Sequence, residues 1–422
     1  MTVVFLVLSA LLGVPLFCVI GSVALYAFAS IEIDSAVIII EMVRLASAPA
    51  LLAIPLFTFT GYILADSNAP LRMVNFTRAL FGWLPGGVPV VAFISCAFFS
   101  AFTGVSGVTI IALGGLLYPI LRSEKYSETF TLGLLTCSGS MGMLIPPSLP
   151  LILYGIISET PIDRLFAAGI IPEMMLITFL SIFSIRKGLT RDRIRVKFSM
   201  RQLITTAKAA VFEIPLPIIV LGGIYSGLFT ATEAAAISAA YAVIVEIFIH
   251  RDLNFFKDVP RIIEKSMILV GSILIILGVA LGLTSYMVDA QIPVKVLGWM
   301  QDYIGNKWVF LIVLNIFLLI VGCLMDIFSA IIIIVPLIKP IAVSFGVDPI
   351  HLGIIFLCNL EIGYSTPPVG INLFIASTRF DRSILDLYKS ALPFIGILLI
   401  GLVLITYCPW LSLGLVKLLF GT

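Results

Sequence analysis

SGSMGMLIPPS (138–148) and EIGYSTPPVGIN (361–372) interrupt two stretches otherwise rich in Leu, Ile and Phe. A Pro-Pro pair removes two consecutive amide donors, and the glycines and hydroxyls beside it favour turns over continued helix. Each stretch therefore reads as a helix broken within an apolar segment. The rest of the chain decides what kind of segment that is. Its 422 residues are 60% hydrophobic and only 11% charged, more apolar surface than a soluble fold of this length can cover. Many runs reach the roughly 20 residues that cross a bilayer core, and the alternating ten-residue pattern of a membrane β-barrel is absent. The chain reads as an all-α polytopic membrane protein.

Several functions are excluded by what the chain lacks. A net charge of +2 offers no field for nucleic acid. Cys18, Cys96, Cys137, Cys323, Cys358 and Cys408 stand singly, without Cys-x-x-Cys, and read as small buried hydrophobes. His250 and His351 do not make a zinc set, so no metal centre and no cofactor is expected. No P-loop motif is present. ALYAFAS (24–30) resembles a signal-peptidase site, but the first basic residue is Arg44, so 3–29 reads as a retained first helix.

Full spans are expected at 3–29, 46–65, 165–185, 209–229, 232–249, 266–288 and 389–407. Residues 86–121 and 309–344 are each too long for one limb and carry small or polar residues midway, so each reads as a hairpin that enters and returns on one side. Segments 130–157 and 350–378 are the broken helices. The 186–208 loop carries eight basic residues against Asp192 and belongs in the cytoplasm. With both hairpins re-entrant, Arg72, Arg78, Arg122, Lys125, 250–265, Arg379 and Arg382 fall on the same side.

Displaced by 221 residues, the chain matches itself at its punctuation. Pro119 falls on Pro340, Pro146 on Pro367, Pro147 on Pro368, Pro172 on Pro393, and Gly142 on Gly363. Chance gives about one proline coincidence per shift; here there are four. A slip of two also lays PLRMVNF (70–76) on PVKVLGW (293–299). The expected organisation is scaffold helices in 1–69, a first repeat in 70–208, central scaffold helices in 209–288 and a second repeat in 289–422. Four spans between the first broken helix and the second hairpin would invert one repeat against the other. Inverted repeats with discontinuous helices mark secondary transporters.

A broken helix leaves main-chain groups without partners, at a cost of several kcal/mol each in order of magnitude. Here the carbonyls near Gly142 and Met143 lose their usual amides to Pro146 and Pro147, and hydroxyls of Ser138, Ser140 and Ser148 stand nearby. Gly363, Ser365 and Thr366 before Pro367–Pro368 repeat the set. Carbonyl and hydroxyl oxygens suit a monovalent cation, and the half-helix that follows turns its positive N-terminus toward an anion. At the hairpin tips stand Thr103, Gly104, Ser106 and Gly107 in SAFTGVSGVT (100–109), and Asp326 in GCLMDIFSA (322–330). Asp326 could ligate a cation, accept a substrate hydroxyl or cap a helix. Glu361 could bond neighbouring backbone or act as a ligand, while Glu213 and Glu233 read as structural.

At these residues the chain resembles, over essentially its whole length, the large membrane subunit of tripartite ATP-independent periplasmic (TRAP) transporters. The marks are TGVSGVT, GSMGMLIPPSLPLILYG, MDIFSAIIIIVPLIKP and NLEIGYSTPPVGINLF. The resemblance implies a sodium-coupled importer of organic anions, such as carboxylates or sugar acids, in a bacterial inner membrane. It implies an elevator motion of hairpins and broken helices against a scaffold. It also implies a periplasmic substrate-binding protein and a small four-helix membrane subunit, expected as a separate chain because the first helix begins near Met1. Sodium ions are the coupling ions. Carried over, one sodium site draws on Ser106, Gly142, Ile145 and Pro147, and the other on Gly363, Thr366 and Pro368. Thr103, Ser140, Asp326, Asn359 and Asn372, with Arg379, are the candidates for the substrate cavity. A stand-alone sodium/dicarboxylate symporter is the alternative; an intramembrane enzyme or a non-transporting scaffold has no support in the residues.

Overall fold

Proline, glycine and short polar side chains fix where the helices begin and end. The computed structural model describes residues 14–30, 34, 36–84, 86–189 and 198–421, and among these no strand is formed. In chain order the helices are α1 (Leu16–Ser30), α2 (Ala36–Ala46), α3 (Ala53–Asp66), α4 (Ala69–Phe81), α5 (Gly87–Thr103), α6 (Ser106–Ser123), α7 (Glu128–Ser138), α8 (Leu149–Ser158), α9 (Ile162–Leu189) and α10 (Met200–Ala209). There follow α11 (Pro215–Tyr225), α12 (Ala231–Val243), α13 (Asp258–Asp289), α14 (Ile292–Tyr303), α15 (Lys307–Leu324), α16 (Ile327–Ser344), α17 (Pro349–Gly363), α18 (Ile371–Phe380), α19 (Ile384–Tyr407) and α20 (Trp410–Phe420). Local chemistry explains many of these bounds. Ser127, Ser148, Thr230, Asp326, Asp348 and Ser383 each accept an amide of the first turn they precede. Gly104, at φ +63°, ends α5 and lets the chain reverse into α6.

Both long segments read as hairpins consist of two arms joined by two residues, Gly104–Val105 and Met325–Asp326. Both broken segments are interrupted, at 139–148 and 364–370. Adding 221 to the first residues of α5 to α9 (87, 106, 128, 149 and 162) gives 308, 327, 349, 370 and 383. Each lies within one residue of the start of α15 to α19.

Among the described residues, eight helices are long and apolar enough to cross a membrane. Three of them are hairpin arms, because length alone does not separate an arm from a span. Some expected limits differ. Segment 209–229 is not one continuous helix: α10 ends at Ala209, a turn follows, and α11 has only 11 residues, started by Pro215 and ended beyond Gly222–Gly223. The helix expected at 266–288 extends from Asp258 to Asp289. Helices α2 and α20 were not expected; Glu41 and Arg44 break the apolar run of the first, and Cys408–Pro409 separates the second from α19. Of the first expected span, 3–13 lies outside the described residues.

The core is made by the interrupted helices. In α17 every residue from Ile350 to Gly363 is buried, and in α7 every residue from Thr131 to Ser138. Such helices are covered all round: α15 covers α17 and α6 covers α7 from their own halves, and further covers come from the opposite half of the chain. Helix α19 packs on α7, α9 on α17, α18 on α6 and α16 on α8. The closest approach to main chain across the halves is at Gly133, where a Cβ would lie 2.0 Å from Ser390 O. Helices α1, α2 and α3 instead pack on α13, and Ala24, Phe28 and Ile38 form a small core of their own.

Arg72, on α4, is held by three carboxylates. Its guanidinium bonds Glu213 in the turn before α11, Glu246 at 2.7 Å and Asp252 at 2.5 Å, and Asn68 Nδ2 also donates to Asp252, at 3.0 Å. Glu246 lies in the π-helical turn Ile244–Ile249 that continues α12. The arginine side chain is 13% exposed. Arg72→Leu would strand three acids and should cost about 3–5 kcal/mol, read as lost denaturant stability in detergent. Arg72→Lys should recover only part, because one ammonium lacks the fork that reaches all three.

Candidate functional site

Gly139 to Ser148 form a chain of short turns in place of helix. Met141 N donates to Ser138 O at 3.2 Å, Met143 N to Ser140 O at 3.2 Å and Ile145 N to Gly142 O at 3.1 Å. The two carbonyls freed by Pro146 and Pro147 are thus not bare: Gly142 O accepts Ile145 N, and Met143 O accepts the Ser148 hydroxyl. Each carbonyl keeps a second lone pair. Gly142 takes φ +105°, and a Cβ there would strike Ala97 O at 2.1 Å, so only glycine fits against α5. Hairpin and break are laced together: Ser100 Oγ donates to Gly139 O at 2.6 Å. Ser106 O lies 3.3 Å from where a Cβ of Gly139 would stand.

The second break repeats this by other means. Ser365 N donates to Ile362 O at 3.0 Å, Thr366 N to Gly363 O at 2.9 Å, and Thr366 Oγ1 to Ile362 O at 2.8 Å. Gly370 N donates to Cys323 O at 2.9 Å and Ile327 N to the Tyr364 hydroxyl, which ties this break to the tip of the α15–α16 hairpin. Tyr388 donates to Pro368 O. Both Pro–Pro peptides are cis.

The two breaks meet. Ser140 Oγ donates to Glu361 O at 3.3 Å, and these residues are counterparts under the 221-residue offset. Asn372 Nδ2 reaches Thr136 O at 3.4 Å and Ser365 Oγ at 3.5 Å, joining α18 to α7. The candidates therefore fall into two groups. Ser106, Gly142, Ile145 and Pro147 sit at the first hairpin tip and break, with Thr103 buried at the end of α5. Gly363, Thr366 and Pro368 sit in the second break, with Pro368 exposed. Ser140 and Asn372 stand where the halves meet. Asn359 faces elsewhere, its Nδ2 donating to Asn315 Oδ1 at 2.7 Å and Ile355 O at 2.8 Å. Asp326 caps α16: Oδ1 accepts Phe328 N and Ser329 N, both at 3.0 Å, and Oδ2 accepts the Ser329 hydroxyl. Arg379 lies farther along α18, against α6.

Glu173 was missed. It follows Pro172 inside an apolar run, and the rule that flagged Asp326, an acid within a span, would have found it. Its Oε1 accepts Gly142 N at 2.7 Å, and its carboxylate faces that of Glu361; both acids are wholly buried. Two facing acids in apolar surroundings are relieved either by a shared proton or by a nearby cation. Turn carbonyls with a free lone pair, hydroxyls and buried acids form a donor set for a hard cation. The N-termini of α8 and α18 beside it favour an anion.

A bundle of this kind, with two interrupted helices back to back at its centre, belongs to membrane transporters. Its fold is similar to that of the Alcanivorax borkumensis YdaH transporter, with a TM-score of 0.61 at 14% identity over 90% of this chain and 88% of that one. The model of the family described as "Tripartite ATP-independent periplasmic transporter, DctM component" matches residues 1–411, and the chain belongs to that family. It is 35% identical to the C4-dicarboxylate TRAP transporter large permease protein DctM of Pseudomonas aeruginosa, over 86% of each chain. It is 33% identical to the isethionate TRAP transporter permease protein DctMQ of Oleidesulfovibrio alaskensis, over 96% of this chain and 64% of that one. With the sialic acid TRAP transporter large permease protein SiaM of Vibrio cholerae it shares 31% identity over 88% and 87%. These relatives are transporter permeases, not enzymes.

Glu173→Leu should leave the Gly142 amide unpaired and lower stability by about 1–3 kcal/mol. Glu173→Gln keeps an acceptor and should lose less; thermal unfolding of the purified variants measures both.

Proposed function

We propose that this chain imports an organic anion across a bacterial inner membrane, coupled to sodium, as the large permease of a TRAP system. The observation that carries the reading is the contact between Ser140 and Glu361, which brings the two interrupted helices together at the centre of the bundle. In this reading Ser106, Gly142, Ile145 and Pro147 supply oxygens for one sodium ion, and Gly363, Thr366 and Pro368 for a second. The cargo anion lies between them near Thr103, Ser140 and Asn372, by the N-termini of α8 and α18. Sodium beside the cargo lowers the cost of bringing a carboxylate among apolar helices, so each ligand strengthens the other's binding. The names of these three relatives support an anionic cargo, since C4-dicarboxylate, isethionate and sialic acid are all organic anions, and the zwitterion ectoine named for two others still presents a carboxylate.

The common offset of helix starts supports two repeats. We read them as inverted, with the 210–214 turn and α11 together making one short crossing. The moving body would be α5–α8 with α15–α18, and α1–α3 with α11–α13 the static scaffold, in an elevator motion. Cargo arrives from a periplasmic binding protein, and a separate small four-helix membrane subunit stands beside the scaffold.

Proteoliposomes holding the chain with its small partner test the reading. Labelled succinate, as a C4-dicarboxylate, should enter only with an inward sodium gradient and only when the binding protein is supplied. Equal uptake by the chain alone would favour the stand-alone symporter, and uptake indifferent to sodium would defeat the coupling. Thr366→Val should raise the sodium needed for half-activation roughly tenfold, the loss expected for one bond to a charged ligand, while membrane insertion stays normal.

A further inference from the structure

Arg379 stands in the last turn of α18, where long basic side chains ordinarily reach outward to headgroups. Here the guanidinium folds back along the groove between α18 and α6, and Nε donates to Ile111 O at 3.0 Å. Residue 115 permits this by being glycine: a Cβ there would lie 1.9 Å from Nη2. Among the described residues no carboxylate forms an ion pair with Arg379, whereas Arg382, three residues on, bonds Glu128 at 2.6 Å. Beneath the guanidinium is a cavity of about 480 Å³ walled by Ile111, Phe374, Ile375 and Thr378. Ile111 is 53% and Phe374 49% exposed, so the walls open outward, where a membrane chain meets acyl chains.

We propose that this slot binds an anionic phospholipid. Its phosphate sits on the free Nη edge of Arg379, and an acyl chain lies against Ile111, Phe374 and Ile375. Charge complementarity selects the occupant. A planar guanidinium pairs phosphate through two parallel bonds, and basic pockets between transmembrane helices hold anionic headgroups. A soluble carboxylate shares the oxyanion chemistry but carries no chain to lie along the apolar walls. The bound lipid would bridge a hairpin arm, α6, and the half-helix leaving the second break, α18. The inference does not depend on sodium coupling or on the identity of the cargo.

The test is native mass spectrometry of the full chain with added phosphatidylglycerol or phosphatidylcholine of the same acyl chains. Phosphatidylglycerol should bind, and Arg379→Gln should weaken it about fivefold, the effect of one basic contact at an anionic surface. The control Lys257→Gln should bind as the unaltered chain does. Gly115→Val keeps the charge but unseats the guanidinium, and should weaken binding similarly. Thermal unfolding establishes that each variant is folded; should Arg379→Gln fail to fold, Arg379→Lys, which keeps the charge without the fork, should show intermediate binding. Equal binding of the two lipids, or undiminished phosphatidylglycerol binding in Arg379→Gln or Arg379→Lys, overturns the proposal. Displacement of the lipid by inorganic phosphate or succinate also overturns it, in favour of a free oxyanion site.

Discussion

An amide or carbonyl buried among apolar helices must find a partner, and this requirement organises the molecule. Two helices stop in the middle of the bundle, each releasing groups that a continuous helix would have paired. Part of the repair is local, in turns such as Ile145 N to Gly142 O. Part comes from the adjoining hairpin, through Ser100 in the first half and Tyr364 and Cys323 in the second. The rest comes from a long helix outside the hairpins, where Glu173 takes Gly142 N. Removing any one layer exposes the others to an unpaired group, which makes hairpin and break a single structural unit.

Half-buried charge obeys the same rule. Arg72 is matched by three acids, Asp326 is engaged by two amides and a hydroxyl, and Lys339 donates to Ser158 O at the end of α8. All three compensations lie at helix ends or loops, where main-chain groups or short side chains are available. The pair that departs from this is Glu173 with Glu361, two acids facing each other at the meeting of the halves.

Much of the fold could be read from punctuation alone, because a Pro-Pro pair or a Gly-rich reversal has few structural outcomes. The 221-residue spacing came from four prolines and a glycine, and the helix starts share it to within one residue. Where punctuation is weak the reading slipped. Residues 209–229 look continuous in hydropathy, yet Pro215 and Pro217 confine the helix to 11 residues. The amphipathic character of α2 hid it between two stronger runs. At the site, spacing identified which segments meet but not where side chains point. Asn359 belongs to a hydrogen-bond chain with Asn315, and the carbonyls expected to be bare have partners from the next turn. Those outcomes depend on side-chain rotamers and on the local turn geometry within each half, which spacing alone does not set.

The exchange of packing partners between halves has a consequence for biosynthesis. Helices α6, α7 and α8 are covered by α18, α19 and α16, whose first residues follow theirs by 265, 256 and 178 positions. At the usual pace of about 5–20 residues per second, that interval lasts on the order of 10–50 s. Throughout it, the first break has the partners of its own half, Ser100 on α5 and Glu173 on α9, but on the faces later covered from the second half it meets only lipid or the insertion machinery. The nascent first half must therefore be sheltered, or held in some other arrangement, until its covering helices arrive.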